Sequence, residues 1–414
     1  MTDQRQWSRR RWLAAASSTA TLALAGCSSS DDGDGTGPGD DASTPAGNDG
    51  NGDTSNSDGD TNEQSFEGPV TADGEWPVTH YDAANTRSTT ASGPPVAVQE
   101  RWSAEITGEW ADAPLVVGES VYVATDEGSC YAHDLLSGEQ RWVHDLSPET
   151  IFSLAAGEDR VYIGWGGGIT AVTPDNTVTW ERSLGEFVLD LLVADGTVYA
   201  RGQERLFARD VETGDEVWTT TVPDGLSNLA VADGSVFMKD REQFKAYDAG
   251  TGDRQWAVEH AGALGDAGVA IADGTAYFMA DGNIEARSID DGALEWRWSD
   301  GTAEETVPAV ADGVVYAQSL GKGGPYRIDG TTGDNLGTIE VDGYTGHPAV
   351  ASGTVYFSMF PDLDADTRLY AVDADSLDVR WQTTMTGGTG STPVVLEDLL
   401  LYPRGSGLAV LEPA

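Results

Sequence analysis

Three stretches of the chain are near copies of one another: VADGTVYARGQERLFARDVETGDEVW, VADGSVFMKDREQFKAYDAGTGDRQW and IADGTAYFMADGNIEARSIDDGALEW. Each opens on a glycine-containing turn, passes through a strand centred on an apolar-aromatic pair, turns into a second strand, and turns again to close on tryptophan. The pair recurs as Val121-Tyr122, Val161-Tyr162, Val198-Tyr199, Val236-Phe237, Ala276-Tyr277, Val315-Tyr316, Val355-Tyr356 and Leu400-Leu401. The step is about 40 residues, and a fixed step of that size confines a chain to an array of one small unit. Short alternating strands, Asp-Gly turns and the lack of any long helical periodicity make that unit a blade of four antiparallel strands. The expected fold is all-β, an eight-bladed β-propeller.

Eight units fit between Trp102 and the C-terminus. The closing positions hold Trp142, Trp180, Trp218, Trp256 and Trp296, then Gly337, then Trp381. After Leu408-Ala409-Val410-Leu411 the last unit is one strand short. Arg101-Trp102 precedes the first complete unit and reads as the missing strand, so that N- and C-terminal segments share one blade. Closing the ring in this way removes exposed sheet edges. A seven-bladed ring with an irregular terminal unit is the competing count.

The closing turns carry a more specific pattern. Ala208, Asp210, Thr213, Gly214 and Trp218 resemble the tryptophan-docking motif of pyrroloquinoline quinone (PQQ)-type propeller repeats, as do Ala246, Asp248, Thr251, Gly252 and Trp256. Ala132, Asp134, Ser137, Gly138 and Trp142 follow it with one conservative change. The spacing has a mechanical sense: alanine allows close approach, aspartate accepts N–H bonds of the turn, glycine takes positive φ, and tryptophan is aimed at the next blade. On this reading Trp102, Trp142, Trp180, Trp218, Trp256, Trp296 and Trp381 are structural docking residues. Three blades depart from the pattern. The second is one residue short between Ala171 and Trp180, the sixth has Gly337 for tryptophan, and the seventh has Leu377 for the turn glycine. The resemblance extends from Glu75 onward, since Glu75-Trp76-Pro77, Asp82 and Asn85-Thr86 look like the lead-in segment of secreted archaeal members. WD-type and kelch propellers fit less well, because their Gly-His with Trp-Asp and Gly-Gly signatures do not recur.

Ahead of the propeller, Ser8-Arg9-Arg10-Arg11-Trp12-Leu13 resembles the twin-arginine export signature, with Arg9 and Arg10 as its pair. The Ala/Ser/Thr-rich stretch that follows is shorter than the about 20 apolar residues of a membrane span. Leu24-Ala25-Gly26-Cys27 then resembles a lipobox, which makes Cys27 the lipid-attachment residue. Residues 28–67 are almost wholly Asp, Gly, Ser, Thr, Asn, Pro and Glu, too polar to offset their ordering entropy, and read as a disordered tether. The expected organisation is a signal over 1–27, an acidic linker over 28–67 and a propeller over 68–414, exported and lipid-anchored on the extracytoplasmic face of the cell membrane.

Charge narrows the partners. With 69 acidic against 23 basic residues the formal charge is -46. Such a surface resembles that of proteins from halophilic archaea, where carboxylates keep a protein dispersed in concentrated salt. It also repels phosphate backbones, so nucleic acid is excluded as a partner. The two cysteines, Cys27 and Cys130, form no thiol cluster, and Cys130 reads as a buried, inert thiol. His80, His133, His144, His260 and His347 lack paired ligand spacing. Asp362, Asp364 and Asp366 alternate like a calcium loop, but Thr367 stands where such a loop needs glycine, so they read as an acidic hairpin. Trp165 lies outside the closing series beside Gly166-Gly167-Gly168 and is a candidate contact residue.

Two functions remain. The first is a lipid-anchored scaffold without catalytic residues, cofactor or metal, holding protein partners at the cell surface. It resembles in architecture the bacterial lipoprotein propellers that assist outer-membrane protein assembly, of which only the scaffold role carries over to an archaeal cell. The second is a quinoprotein oxidoreductase acting on an alcohol or sugar with PQQ and Ca²⁺ in the central channel. The resemblance to quinoproteins implies adjacent cysteines and long insertions between blades, and this chain has neither.

Overall fold

The computed structural model describes residues 70–108, 113–157, 159–222, 227–260, 268–299, 307–318, 323–360, 366–386, 391–404 and 407–414. Arg9, Arg10, Cys27 and the acidic linker lie outside the described residues, as do Asp362 and Asp364. Regular structure among those described is entirely β, in eight sheets that are the blades of an eight-bladed propeller. The third blade is representative: Asp190–Ala194, Thr197–Arg201, Arg205–Asp210 and Glu216–Thr221 pair in sequence, each antiparallel to the last. First strands neighbour one another around the axis. They are short and built of small residues, as in Ala230–Ala232, Ala270–Ala272, Ala309–Ala311 and Ala349–Ala351, which lets eight of them converge. Second strands are buried on both faces, as in Ser120–Ala124, whereas outer strands such as Gln140–Asp145 alternate towards solvent. In blades three to seven, first and second strands are joined by two-residue turns with both residues at positive φ, among them Asp195-Gly196 (49° and 74°) and Asp233-Gly234 (47° and 72°). Asp-Gly supplies that backbone at low cost, which is why the dipeptide punctuates the repeat.

The eighth blade is composite. Val394–Val395, Leu400–Arg404 and Gly407–Pro413 come from the C-terminal end, and the outer strand is Val98–Glu105, paired from Val98 opposite Pro413 to Glu105 opposite Gly407. The ring is therefore closed by the strand that contains Trp102.

Between blades, the tyrosine of the apolar-aromatic pair and the closing tryptophan act on one target. In the second blade Tyr162 and Trp180 stand 5.7 Å apart, and both donate to the carbonyl of Val211 in the third, at 3.4 and 3.0 Å. Tyr199 and Trp218 do the same to Ala249, and Tyr277 and Trp296 to Gly330. Trp102 donates to Leu135 and Trp142 to Pro174, each at 2.8 Å. At the seam the eighth blade has no such turn, and Trp381 donates to Pro94, just ahead of the closing strand, at 2.9 Å. Trp256 differs. Its blade has Phe237 for tyrosine, the indole packs edge-on against Phe244 at 5.0 Å, and its N–H is buried without a partner.

Five of the indoles, those of Trp102, Trp180, Trp218, Trp256 and Trp296, lie over the turn glycine of the next blade. A Cβ at Gly214 would stand 2.6 Å from the Trp180 ring, and one at Gly252 2.5 Å from Trp218. The turn aspartates accept two N–H bonds apiece, as Asp210 does from Glu212 and Thr213 at 3.1 and 2.9 Å. The two departures in blades six and seven are one feature. Leu377 takes the glycine position at φ 64°, and its Cδ1 lies 3.6 Å from where a Cβ on Gly337 would stand. Without an indole above it, the turn has room for leucine.

Gly214→Ala combines a left-handed alanine with overpacking, and is expected to lower stability by about 3 kcal/mol. Gly234→Ala has a similar φ but nothing within 4 Å of the new Cβ, so only about 1 kcal/mol is expected. Urea unfolding of the two variants separates the contact from the backbone effect.

Candidate functional site: the central channel and its open face

The first strands leave their inner edges without a neighbour, and residues 71–92 cover them as a strap running round the inside of the ring. Val116 and Trp76 exchange amide bonds at 2.9 and 2.7 Å, and Ala156 donates to Pro77. Val231, Ile271, Val310 and Val350 donate in turn to the carbonyls of Ala83, Ala84, Thr86 and Arg87 at 2.7 to 2.9 Å. Ser352 donates to Thr89, and Glu397 and Asp398 of the eighth blade donate to Asp73 and Thr71. Ser88–Thr89 completes the strap as a short parallel strand beside Ala349–Ala351. These bonds reach seven of the eight first strands, on the strand or the turn that follows it and within two residues of that turn, so the strap stoppers that end of the channel.

Local chemistry makes the strap follow this path. Asn85 and Arg87 take positive φ (60° and 51°), and the Asp82 carboxylate holds the Thr86 N–H and hydroxyl at 2.9 and 2.6 Å. Asn85 Nδ2 reaches up to the carbonyls of Leu229 and Val269, at 2.6 and 3.0 Å, tying two blades together. Trp76 is fully buried, edge-on to Tyr81 at 5.1 Å. Trp76, Asp82, Asn85 and Thr86 are residues of the lead-in segment singled out in the sequence.

Inside the channel the strap places Arg87, only 4% exposed. Its Nε and Nη2 face Nδ1 of His80 at 3.2 and 3.0 Å, and its Nη1 donates to the carbonyl of Val307 at 2.7 Å. Burial lowers its pKa to about 9. Burial, and then the Arg87 charge, push His347 down to about 3. Burial drives the Cys130 thiol up to about 12, which leaves it unreactive near neutral pH.

A second polar group lies between blades three, four and five. Asp190 and Arg201 are cross-strand partners and both buried, and Asp190 accepts the Leu229 N–H at 2.6 Å. Lys239 and Lys245, two of the three lysines in the chain, are also buried, with Lys245 ion-paired to Asp240. Glu285, wholly buried, binds Arg287 at 2.7 Å and Arg297. Sequence reading missed this group, although a lysine inside the apolar strand Ser235–Lys239 was the available signal.

Away from the strap, the opposite face carries an aromatic cluster. Phe187, 41% exposed, packs on Phe152 at 5.3 Å, and its ring lies within 3.7 Å of a Cβ built on Gly166, next to Trp165. Trp165 itself is half-buried, and its indole N–H is used by Thr170 Oγ1 at 3.0 Å.

Calcium takes six to eight oxygen ligands, mostly carboxylates. Among the described residues no group of three or more His, Cys, Asp or Glu side chains is placed to hold a metal ion. The channel contributes instead a guanidinium and imidazoles, which are not the oxygen donors that calcium takes.

This geometry defines a class: a closed eight-bladed propeller with tryptophan-sealed blade junctions and a channel stoppered by its own N-terminal strap. The chain belongs to the family described as outer membrane protein assembly factor BamB, which matches residues 70–258 and 241–337. The factor of that name from Burkholderia pseudomallei is 32% identical over 135 residues, covering 30% of this chain and 34% of that protein. The one from Bordetella pertussis is 33% identical over 148 residues, covering 32% and 36%. The chain thus spans about a third of the length of the curated relatives it matches. BamB from Moraxella catarrhalis superposes with a TM-score of 0.63 at 14% identity, over 77% of this chain and all of that one. A europium-containing methanol dehydrogenase superposes with a TM-score of 0.64, also at 14% identity, over 81% of this chain and 90% of its own. At such identity the likeness to both structures is one of fold alone.

Proposed function

We propose that the chain is a scaffold on the extracytoplasmic face of the cell membrane, exported through Arg9 and Arg10, anchored by lipid on Cys27, and binding protein partners through the open face. The observation that carries this reading is the stoppered channel: the chain's own backbone occupies the inner strand edges, so the surface left for another molecule is the face around Phe152, Trp165 and Phe187. Membership of a family described as an assembly factor supports it. An apolar cluster among so many carboxylates is where a protein partner gains most from desolvation. The tryptophans at the blade junctions serve docking between blades, and the acidic surface serves solvation in concentrated salt.

The test is capture from intact membranes with the full chain. Wild type and Val217→Asp, a variant on the outer rim, are expected to retain a stoichiometric protein partner, whereas Phe187→Asp weakens it about 30-fold, the loss of a hot spot of about 2 kcal/mol. Cys27→Ser is expected to move the protein from membrane to medium. Saturable Ca²⁺-dependent PQQ binding in a fluorescence titration, with no captured partner, would instead establish the oxidoreductase.

A further inference from the structure

We infer that the channel binds a small monovalent inorganic anion, of the chloride class, on the terminal nitrogens of Arg87 beside His347. Arg87 is a buried cation whose hydrogen-bond partners are neutral: an imidazole nitrogen and a carbonyl. Among the described residues no carboxylate pairs with it. Asp82, the acid nearest along the strap, holds Thr86. A guanidinium keeps its charge at any physiological pH, and an uncompensated buried charge is among the most expensive features a fold can carry. A bound anion removes that expense.

The donors fit such an ion. A guanidinium has five N–H bonds. Three are directed at His80 and Val307, which leaves one on each terminal nitrogen. His347 lies three residues ahead of Val350, whose N–H binds the carbonyl of Arg87 itself at 2.9 Å. Nδ1 of His347 is buried and has no hydrogen-bond partner, so in the Nδ1–H tautomer it supplies a further donor. At the same junction of blades six and seven, Gln318 Oε1 and Thr345 Oγ1 are also buried without partners, as expected of oxygens that face solvent held inside the fold. One cationic side chain selects a single negative charge, and a guanidinium only 4% exposed favours a small ion. A polyanion would also have to approach a protein of formal charge -46.

The probe is bromide. Crystals of the full chain soaked in sodium bromide are expected to show one anomalous peak in contact with Arg87 Nη1 and Nη2 and His347 Nδ1, absent in Arg87→Met. Should Arg87→Met fail to fold, thermal unfolding of wild type and His347→Ala gives the second reading. At matched ionic strength, bromide in place of gluconate is expected to raise the wild-type midpoint saturably, and His347→Ala to need several-fold more bromide for the same rise. No peak in the wild-type channel, a peak that persists in Arg87→Met, or identical bromide responses of wild type and His347→Ala would overturn the assignment.

Discussion

A chain that starts at Gly93 is expected not to form a stable ring, even though every four-stranded blade, including the closing strand Val98–Glu105, is still encoded in it. The truncation removes the partners of nine N–H groups, six on first strands and three in the turns that follow them: those of Val116, Ala156, Val231, Ile271, Val310, Val350, Ser352, Glu397 and Asp398. Each bond contributes about 1 kcal/mol net, and a buried N–H left unpaired costs more. The sum is of the order of the entire margin of a folded domain, about 5–15 kcal/mol. Trp76 leaves with the strap, and its place in the core between blades eight and one becomes a cavity. The truncated protein is expected to keep β secondary structure by circular dichroism while losing its sharp thermal transition and binding a hydrophobic dye. The single substitution Trp76→Ala gives a graded version, with about 4 kcal/mol lost by urea unfolding. A truncated chain that unfolds cooperatively within about 2 kcal/mol of the full one would mean that the strap lies on a ring already stable without it.

The strap also marks where sequence reading stopped. Blade count, the composite eighth blade and the line of tryptophans could be read because each recurs at a fixed step, and the same small set of turn residues is required every time. Gly337 and Leu377 read as two irregularities, yet they are one: removing an indole from one blade frees the turn of the next from glycine. The strap has no such recurrence. Its carbonyls, which carry most of its bonds, look alike in any sequence, and the left-handed residues Asn85 and Arg87 belong to no repeated motif. Side chains that act alone were equally hidden. Nothing in Asn85-Thr86-Arg87 announces that the arginine enters a channel, or that His80 and His347, separated by most of the domain, sit in its field. Conversely Trp165, conspicuous beside its glycines, is partly covered and already bonded, while Phe187 in an unremarkable connection holds the exposed ring.

Substituting Glu285 by alanine is expected to lower stability by about 4 kcal/mol, as for the loss of one partner from a buried ion pair. The carboxylate is fully buried and divides its oxygens between Arg287 and Arg297. Arg287, 6% exposed, cannot follow its partner into water, because its terminal nitrogens are also fixed to the carbonyls of Gly292 and Glu259 at 2.9 and 3.1 Å. The side chain of Arg297 is 43% exposed and can rehydrate, so Arg297→Ala, which leaves the inner pair intact, is expected to cost only about 1 kcal/mol. Replacing Glu285 and Arg287 together by methionine removes both buried charges and is expected to come within about 1 kcal/mol of wild type, since a buried pair gains little over apolar residues of similar volume. Concentrated salt is expected to leave the Glu285→Ala deficit unchanged, because a pair inside the fold is hardly screened. A deficit no larger than that of Arg297→Ala in urea unfolding would show that water reaches the carboxylate. The contrast matters for a chain with three acidic residues to every basic one: outside, the carboxylates repel one another and serve solvation, whereas between blades four and five a single carboxylate is held by two of the scarce arginines and fixes how those blades meet.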